Sequence, residues 1–335
     1  MPHLSDILTA TVVLTLLSIA LSATGCVIAF YRRGGGGLHD FFKYIIPRDL
    51  YTRRSCYLDV GYVLLKQVLR PLVAVPMLLL TSAQCAVATY GLLVLAFGPR
   101  PQGEMPIVLF AALLIPAILV QDYLRFKTHY WLHRFGVLWD IHKVHHSSEF
   151  LTPVTNHRVH IIEEMIQQAA TGLSVGPMLA AAAFLTATPI STNTLLGFNA
   201  YGLIDTLSFG ILRHSHIGLS YGWLERYLLS PKQHHLHHSS DRRHWDKNFG
   251  FLLACWDRMA GTICYSNPKE NVNFGILPEE AVDYNSVLKL HFMPYIKLFR
   301  RYLPHARRYL PHAQSGPSIP VGPSADAGVA PVPET

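Results

Sequence analysis

The chain has few charged residues and no organised cysteines. Only 15% of its 335 residues are charged and half are hydrophobic, whereas a typical soluble domain has about 25% charged residues. The five cysteines are dispersed and form no Cys-x-x-Cys pair, which argues against a cysteine-ligated zinc site or an iron–sulfur centre. The chain also lacks the Gly-x-Gly-x-x-Gly fingerprint of flavin and nicotinamide sites. The sequence therefore indicates no redox cofactor of these kinds.

Long stretches without Asp, Glu, Lys or Arg are the decisive feature of the composition. A helix that crosses a membrane needs about 20 apolar residues. Three stretches carry no charge and a fourth, of 48 residues, carries only Asp205: Ile7–Tyr31, Pro71–Pro99, Met105–Gln121 and Met165–Leu212. The last stretch is long enough for a helical hairpin near Pro189. We therefore expect an all-α, multi-pass integral membrane protein with four or five spanning helices.

The distribution of Lys and Arg predicts the orientation of these spans. Basic residues are concentrated between Tyr31 and Tyr57 and again after Gln121, whereas the 98–104 link carries only Arg100. With five spans, every basic segment falls on one side, which should be cytoplasmic. A cleaved signal peptide is the alternative for Ile7–Tyr31, but its length and its charge-free start favour an uncleaved helix. The net charge of +7 indicates contact with anionic lipid rather than with nucleic acid.

Three histidine clusters dominate the second half of the chain. Fourteen of the nineteen histidines lie between positions 129 and 244. On a helix, residues three and four apart share a face, so each cluster should direct two or three imidazoles at one point. The clusters predict a metal site with more than one ion, and their spacing leaves iron, zinc and copper open. They contain His129 and His133; His142, His145 and His146; and His234, His235, His237 and His238.

The positions of the clusters place the metal site beside the membrane. His129 and His133 should lie on the extension of the helix that starts in Met105–Gln121, and Pro231 is a natural start for the helix of the third cluster. We therefore expect the clusters to converge just outside the bilayer, beneath a cytoplasmic helical cap. A site in that place can take an apolar chain from the membrane without exposing the chain to bulk water.

Several polar residues have two interpretations each. Asp122 is either an acceptor that orients a ligand imidazole or a surface acid. Asp205, at membrane depth, is either functional or a partner in a helix–helix hydrogen bond. His160 and His214 are either ligands or hydrogen-bonded core residues. The interpretation as non-ligands is favoured for His157, His235 and His244.

The ordered clusters between hydrophobic segments resemble the fatty acid hydroxylase/sterol desaturase superfamily of integral-membrane di-iron oxygenases. The likeness covers roughly residues 115–265. Two departures are that Ile161 replaces a proline and Ala260 replaces an aromatic residue. The motifs that carry the likeness are Asp122–Arg134, Leu138–Ser147, Arg158-Val159-His160, Asn248-Phe249-Gly250 and Trp256–Thr262.

The resemblance implies O2-dependent hydroxylation or desaturation of a membrane lipid, of sterol or fatty-acyl type, at two iron ions. Because no cytochrome b5-like domain is recognisable, electrons should come from an external cytochrome b5, ferredoxin or reductase. A basic surface around Arg125, Lys127 and Lys143 is the expected dock for that donor. Asn248 and Asp257 should support the site. The implied ligands are His129, His133, His142, His145, His146, His160, His214, His234, His237 and His238.

Two other functions remain as alternatives: a zinc membrane hydrolase, and a membrane protein that carries metal or haem without catalysis. Neither alternative changes the domain boundaries that the sequence predicts. Four segments are expected, namely 1–104 with the N-terminal spans and a basic loop, 105–270 with the catalytic domain, 271–303 with a cytoplasmic segment, and 304–335 with a disordered tail.

Overall fold

The regular secondary structure is helical in the part of the chain that the computed structural model describes, which is residues 4–100, 103, 107–187, 209–267 and 269–302. Within these residues there is no β-strand, and only two isolated bridges occur, Leu228 with Leu253 and Ser239 with Phe274. The all-α expectation is therefore confirmed for the described chain. The expected turn at Pro189, Asp205 and the 304–335 tail lie outside the described residues.

The described helices fall into a long N-terminal set and a shorter set after residue 209. Short 3-10 turns connect several of them. In chain order the α-helices are α1 Leu4–Arg32, α2 Leu38–Ile45, α3 Arg48–Tyr51, α4 Arg54–Leu69, α5 Ala74–Leu79, α6 Ser82–Phe97, α7 Ile107–Arg134, α8 Gly136–His146, α9 Ile161–Leu185, α10 Pro231–His237, α11 Cys255–Ala260, α12 Pro278–Ala281 and α13 Val287–Tyr302.

Within the described residues, two helical segments are long and apolar enough to cross a membrane, Arg54–Phe97 and Ile161–Leu185. The first is a run of α4, a 3-10 turn, α5 and α6, interrupted where the Thr81 hydroxyl accepts the backbone N–H of Gln84 and caps α6. Large apolar side chains such as Leu72 and Leu95 stand exposed on this run. Such exposure is expected of a surface that faces lipid and is unusual on a soluble domain.

Helices α6 and α9 pack closely along each other. Gly172 and Gly176 of α9 form a Gly-x-x-x-Gly pair on the contact face. A Cβ atom at Gly176 would lie 2.6 Å from the Cβ of Cys85 and 2.8 Å from the carbonyl oxygen of Ser82, and one at Gly172 would overlap the carbonyl oxygen of Leu80. Small residues of this spacing allow two backbones to approach within a membrane.

A buried ion pair ties α4 to the segment that follows α8. The Arg158 guanidinium lies 2.7 Å from the Asp59 carboxylate, and both side chains are almost fully buried. The same guanidinium donates to the carbonyl oxygen of Val144 and to the hydroxyl of Ser147 at the C-terminal end of α8. Because removing one member of a buried pair costs about 3–5 kcal/mol, this contact fixes the end of α8 firmly.

Two apolar clusters complete the support of the histidine region. Tyr62, Val144 and Leu290 join α4, α8 and α13 in one buried cluster. Ala29 and Leu212 lie in a second one, which packs the C-terminal end of α1 against the segment around His214. The Arg32 guanidinium also donates to the carbonyl oxygen of Ser220 at 2.7 Å. The N-terminal helices therefore brace the later segments that carry histidines.

We expect Gly172→Ala and Gly176→Ala each to destabilise the protein by about 1–3 kcal/mol, because the added methyl group pushes α6 and α9 apart. Gly91→Ala is the matched control, since its Cβ would meet nothing within 4 Å on α6. That control should be neutral or slightly stabilising. Thermal unfolding of the detergent-purified variants measures the difference. Equal midpoints for all three variants would contradict the close approach.

Candidate metal centre

The first histidine cluster lies on the last two turns of α7. His129 and His133 are four residues apart, so their imidazoles project from one face, and their ring centroids are 5.3 Å apart. The helix continues to Arg134, and α8 begins at Gly136 after a single intervening residue. This abrupt junction brings the second cluster directly beside the first. The centroids of His129 and His142 are 5.0 Å apart.

The third cluster lies on α10, whose start is defined by local sequence. Ser230 caps the helix by accepting the Gln233 N–H at 3.0 Å, and the Gln233 side chain accepts the Ser230 N–H in return. Pro231 occupies the first helical position, as expected. This capping box sets the phase of the short helix, and it thereby fixes the directions of His234, His237 and the C-terminal His238.

The structure brings nine of the ten sequence-predicted ligands into two groups. In each group, one nitrogen from every imidazole lies within 4.8 Å of the corresponding nitrogen of all the others. His214, which ends the 3-10 turn Gly210–His214, belongs to the second group. The five-histidine group contains His129, His133, His142, His146 and His237, and the four-histidine group contains His145, His214, His234 and His238.

The nitrogen spacing within the groups fits metal coordination. In the four-histidine group the Nε2 atom of His214 lies 2.9 Å from that of His145, 3.0 Å from that of His234 and 3.2 Å from that of His238. With metal–nitrogen bonds of about 2.0–2.1 Å, neighbouring ligand nitrogens are separated by about 3.0–3.4 Å. In the five-histidine group, Nε2 of His142 lies 3.2 Å from Nε2 of both His129 and His146.

Hydrogen bonds at the opposite ring nitrogens direct these Nε2 atoms. Nδ1 of His129 lies 2.9 Å from the carbonyl oxygen of Phe249, and Nδ1 of His237 lies 2.8 Å from the carbonyl oxygen of Lys247. A carbonyl oxygen only accepts, so Nδ1 must carry the proton and donate. In a neutral imidazole, Nε2 then keeps its lone pair. Both histidines thus direct a lone-pair nitrogen that could hold a metal ion into the five-histidine group.

Glu163 performs the same role with a carboxylate, and sequence reasoning missed it. Its Oε2 atom lies 2.9 Å from Nδ1 of His142, and its Oε1 atom accepts a hydrogen bond from Gln167. The side chain is 1% exposed. A carboxylate behind a ligand imidazole orients the ring and increases the basicity of Nε2. The signal that could have revealed it is an acidic residue at the start of an apolar segment.

Burial keeps these imidazoles neutral. It lowers the pKa of His142 to about 3. Burial, followed by the neighbouring His214, holds the pKa of His234 well below the usual value. At neutral pH these nitrogens therefore carry lone pairs rather than competing protons, as metal ligands require.

The loop 247–250, which supplies both carbonyls, is held from two sides. The Asp257 carboxylate accepts the N–H groups of Phe249 and Gly250 at 2.8 and 2.6 Å, and also the Thr262 hydroxyl. Asn248 has a positive φ of 57°, which asparagine tolerates well. Its side chain donates to the carbonyl oxygens of Gln233 and Cys264. These contacts position the Phe249 and Lys247 carbonyls behind the ligands.

Asp122 anchors α7 to the segment near α11. Its carboxylate accepts the N–H groups of Leu252 and Leu253, each at 3.0 Å, and the indole N–H of Trp256 at 2.8 Å. The side chain is fully buried. These bonds hold the helix that carries His129 in place against the 252–256 segment. The orientation of a ligand imidazole by Asp122 stays a prediction.

The remaining histidines of the region lie outside both groups. His160 caps α9, since its Nδ1 accepts the Ile162 N–H at 3.3 Å, and its Nε2 lies 3.0 Å from the carbonyl oxygen of His291. Both of its ring nitrogens are therefore used away from the two groups. His157, His235 and His244, interpreted above as non-ligands, also lie outside the groups.

The basic surface around Arg125, Lys127 and Lys143, expected to dock the electron donor, differs from the expectation because Lys143 is buried. Lys143 is 5% exposed, and its ammonium lies 2.5 Å from the Glu280 carboxylate. The Arg125 guanidinium stacks 3.6 Å above the Phe251 ring. Lys143 is therefore buried in an ion pair, because α8 packs against α13 and the residues just before it. That packing partner is more than a hundred residues away in the sequence.

The region that holds the two histidine groups is similar to known proteins. Residues 114–262 match a family model described as fatty acid hydroxylase. Alkylglycerol monooxygenase of Danio rerio is 28% identical over 178 residues, 52% of this chain and 35% of that protein. Ornithine lipid hydroxylase OlsE of Rhizobium tropici is 23% identical over 179 residues, 53% of this chain and 50% of that protein.

The match with these relatives is partial. The chain spans about a third to a half of the length of the curated relatives that it matches. Alkylglycerol monooxygenase of Xenopus tropicalis, for example, is 30% identical over 152 residues, which is 30% of that protein. No solved structure shows significant similarity to the chain.

We expect Glu163→Gln to weaken metal binding by about 10- to 100-fold, because the amide retains an acceptor oxygen for His142 but loses the charge that increases the basicity of the ring. Glu164→Gln is the matched control. Glu164 is the next residue on α9 but pairs with Lys66 and Arg70, so its loss should leave metal affinity unchanged. Metal titration against a chromophoric chelator measures both affinities. The same affinity in Glu163→Gln and wild type would contradict the role of this carboxylate.

Proposed function

Residues 114–262 form a domain of the fatty acid hydroxylase superfamily, and we propose on this basis that the protein is a membrane-bound monooxygenase that hydroxylates a lipid at two histidine-ligated iron ions. The observation that carries the proposal is the convergence of nine imidazole nitrogens, seven of them from buried residues, on two adjacent points. Packing alone does not require such a cluster, since buried polar groups normally pair with hydrogen-bond partners rather than with one another's lone pairs.

The relatives support hydroxylation rather than desaturation, and an amphiphilic chain lipid rather than a sterol. The matched proteins are named as an alkylglycerol monooxygenase and an ornithine lipid hydroxylase. Both names refer to a lipid with a polar head group. We propose a substrate of that class, with an alkyl or acyl chain that enters from the bilayer.

The proposed placement in the membrane follows from the apolar helices. Two described segments qualify as spans, and α1 and α7 contain further charge-free stretches. We propose four or five spans in total, with the two histidine groups under a cytoplasmic cap formed by the segments after residue 209. The Lys and Arg asymmetry supports this orientation.

The chain's own residues prepare the site for oxidation of a C–H bond. No amino-acid side chain can attack an unactivated C–H bond, so bound iron would supply the oxidising chemistry. The imidazoles stay neutral through burial, and Glu163 with the Phe249 and Lys247 carbonyls holds the Nδ1 protons. Hydroxylation consumes one O2, two electrons and two protons, and it yields the alcohol and one water.

The arrangement does not favour the haem alternative. The two axial nitrogens of a haem face each other across a flat macrocycle, whereas here four or five nitrogens of each group converge on one point. A zinc hydrolase differs from the proposal in metal content. Metal analysis of the purified protein should give two irons per chain, while two zinc ions and no iron would overturn the proposal.

We expect His145→Ala and His237→Ala each to remove most of the bound iron and the activity, since each removes one ligand of a different group. His160→Asn is the control, because His160 is equally buried but bonded elsewhere, and asparagine can still cap α9. Iron per chain, measured by elemental analysis on membrane-inserted protein, separates ligand loss from misfolding. Wild-type iron content in both alanine variants would contradict the assignment of His145 and His237 as ligands.

Substrate class is best tested by lipid profiling. Cells that express the protein should accumulate a lipid 16 mass units heavier than its precursor, the mass of one added oxygen, and incorporate label from 18O2. The His145→Ala variant supplies the background. A product two mass units lighter than its precursor would indicate desaturation instead. A labelled sterol with unchanged polar lipids would contradict the proposed substrate class.

A further inference from the structure

Trp139 connects the five-histidine group to the protein surface. It lies on α8 three residues before His142 and seven before His146, so all three side chains share one helical face. Its indole centroid lies 4.9 Å from that of His133, 5.3 Å from that of His146 and 6.2 Å from that of His142. The side chain is only partly buried. One indole thus contacts three imidazoles and also reaches solvent.

We propose that Trp139 is the point of electron entry into the metal centre, and that a one-electron redox protein docks over it at the junction of α7 and α8. This inference rests on the proposed function, since only an oxygenase needs two external electrons per turnover. The reduced donor passes one electron at a time through the indole to the metal ions, and two donor molecules are oxidised per hydroxylation. The tryptophan provides a contact route and is unchanged at the end of the cycle.

The surface around Trp139 has the composition of a docking site for a protein. Phe135 is exposed beside it, and Arg134 and Arg301 are each about half exposed. The Arg301 guanidinium lies against Gly136 at the start of α8 and pairs with Asp140. An apolar centre with an arginine rim is typical of protein interfaces. Both arginines stay about half exposed although Arg301 pairs with Asp140 at 2.8 Å and Arg134 pairs with Asp246 at 3.8 Å. The longer contact leaves the Arg134 guanidinium able to bind a carboxylate of the donor, so the donor should be acidic and its docking should weaken with salt.

The route also reaches the four-histidine group. His146, which Trp139 contacts, stacks on His238 with centroids 4.4 Å apart and an interplanar angle of 21°. His238 belongs to the second group, while His146 belongs to the first. A single entry point can therefore serve both groups through touching rings, without a second route from the surface.

The test compares Trp139→Phe with Trp131→Phe. Trp131 is an exposed tryptophan on α7 beside Lys127 and serves as the control. The iron-loaded variants are mixed with reduced ferredoxin or reduced cytochrome b5, and oxidation of the donor is followed by stopped-flow absorbance. We expect Trp139→Phe to slow this step at least about fivefold. Its iron content and its reduction by dithionite should match those of wild type.

A second readout does not depend on turnover. Loading the apoprotein with Co2+ should quench the emission of the contacting indole, and Trp139→Phe, but not Trp131→Phe, should lose most of that quenching. Unchanged donor oxidation rates in Trp139→Phe would overturn the proposal, as would failure of iron-loaded wild type to accept electrons from either donor. Failure of the proposed function is distinguishable, because it appears earlier as the wrong metal or as no oxidised lipid.

Discussion

The structure depends on the placement of nine neutral imidazole nitrogens at two neighbouring points inside a buried region. Lone pairs about 3 Å apart repel one another unless a cation lies between them, so the arrangement is unfavourable without support from the surrounding fold. The support comes from buried polar bonds. Asp122 fixes α7, Arg158 with Asp59 fixes the end of α8, and Asp257 fixes the loop behind two ligands. The contacts of Asp122 and of Asp59 join segments far apart in the sequence, whereas Asp257 lies only eight residues from Phe249.

The carboxylates that support the fold have different partners from the carboxylate that contacts a grouped imidazole. Asp59, Asp122, Asp257 and Glu163 are buried carboxylates of the region, and most partners of the three aspartates are backbone N–H groups, hydroxyls or one guanidinium. Among these four, Glu163 is the one hydrogen-bonded to an imidazole of a group. A carboxylate that accepts several N–H bonds fixes the backbone without competing for a metal ion. Glu163 therefore acts on an imidazole of the five-histidine group, whereas Asp59, Asp122 and Asp257 fix the backbone around the two groups.

The sequence predicted the helical class and eight of the nine grouped histidines because helical spacing and residue type are local properties. His214 carried no spacing signal and was implied by the family resemblance. His160 was implied in the same way, and it lies apart because it caps α9. The contact of Glu163 with His142 and the contacts of Trp139 with His133 and His146 were missed because they arise from the tertiary structure. Lys143 lies within the second cluster, yet its partner Glu280 is 137 positions away, so no local pattern could show that it is buried. The number of spans and the side of the membrane stay predictions, since they depend on residues outside the described chain.

The HxxHH spacing directs the imidazoles of one cluster to both groups rather than to a single point. Successive residues on an α-helix point about 100° apart, so adjacent histidines cannot face the same ion. His145 and His146 are neighbours on α8 and belong to different groups, and His237 and His238 divide in the same way. Each double histidine therefore straddles the two points, and the rigid backbone between its members sets their separation. Moving either pair by one residue would send both imidazoles to the wrong side. The two points are thus spaced by two short helices, α8 and α10, which is why the capping box of α10 and the Arg158 anchor at the end of α8 matter to the site.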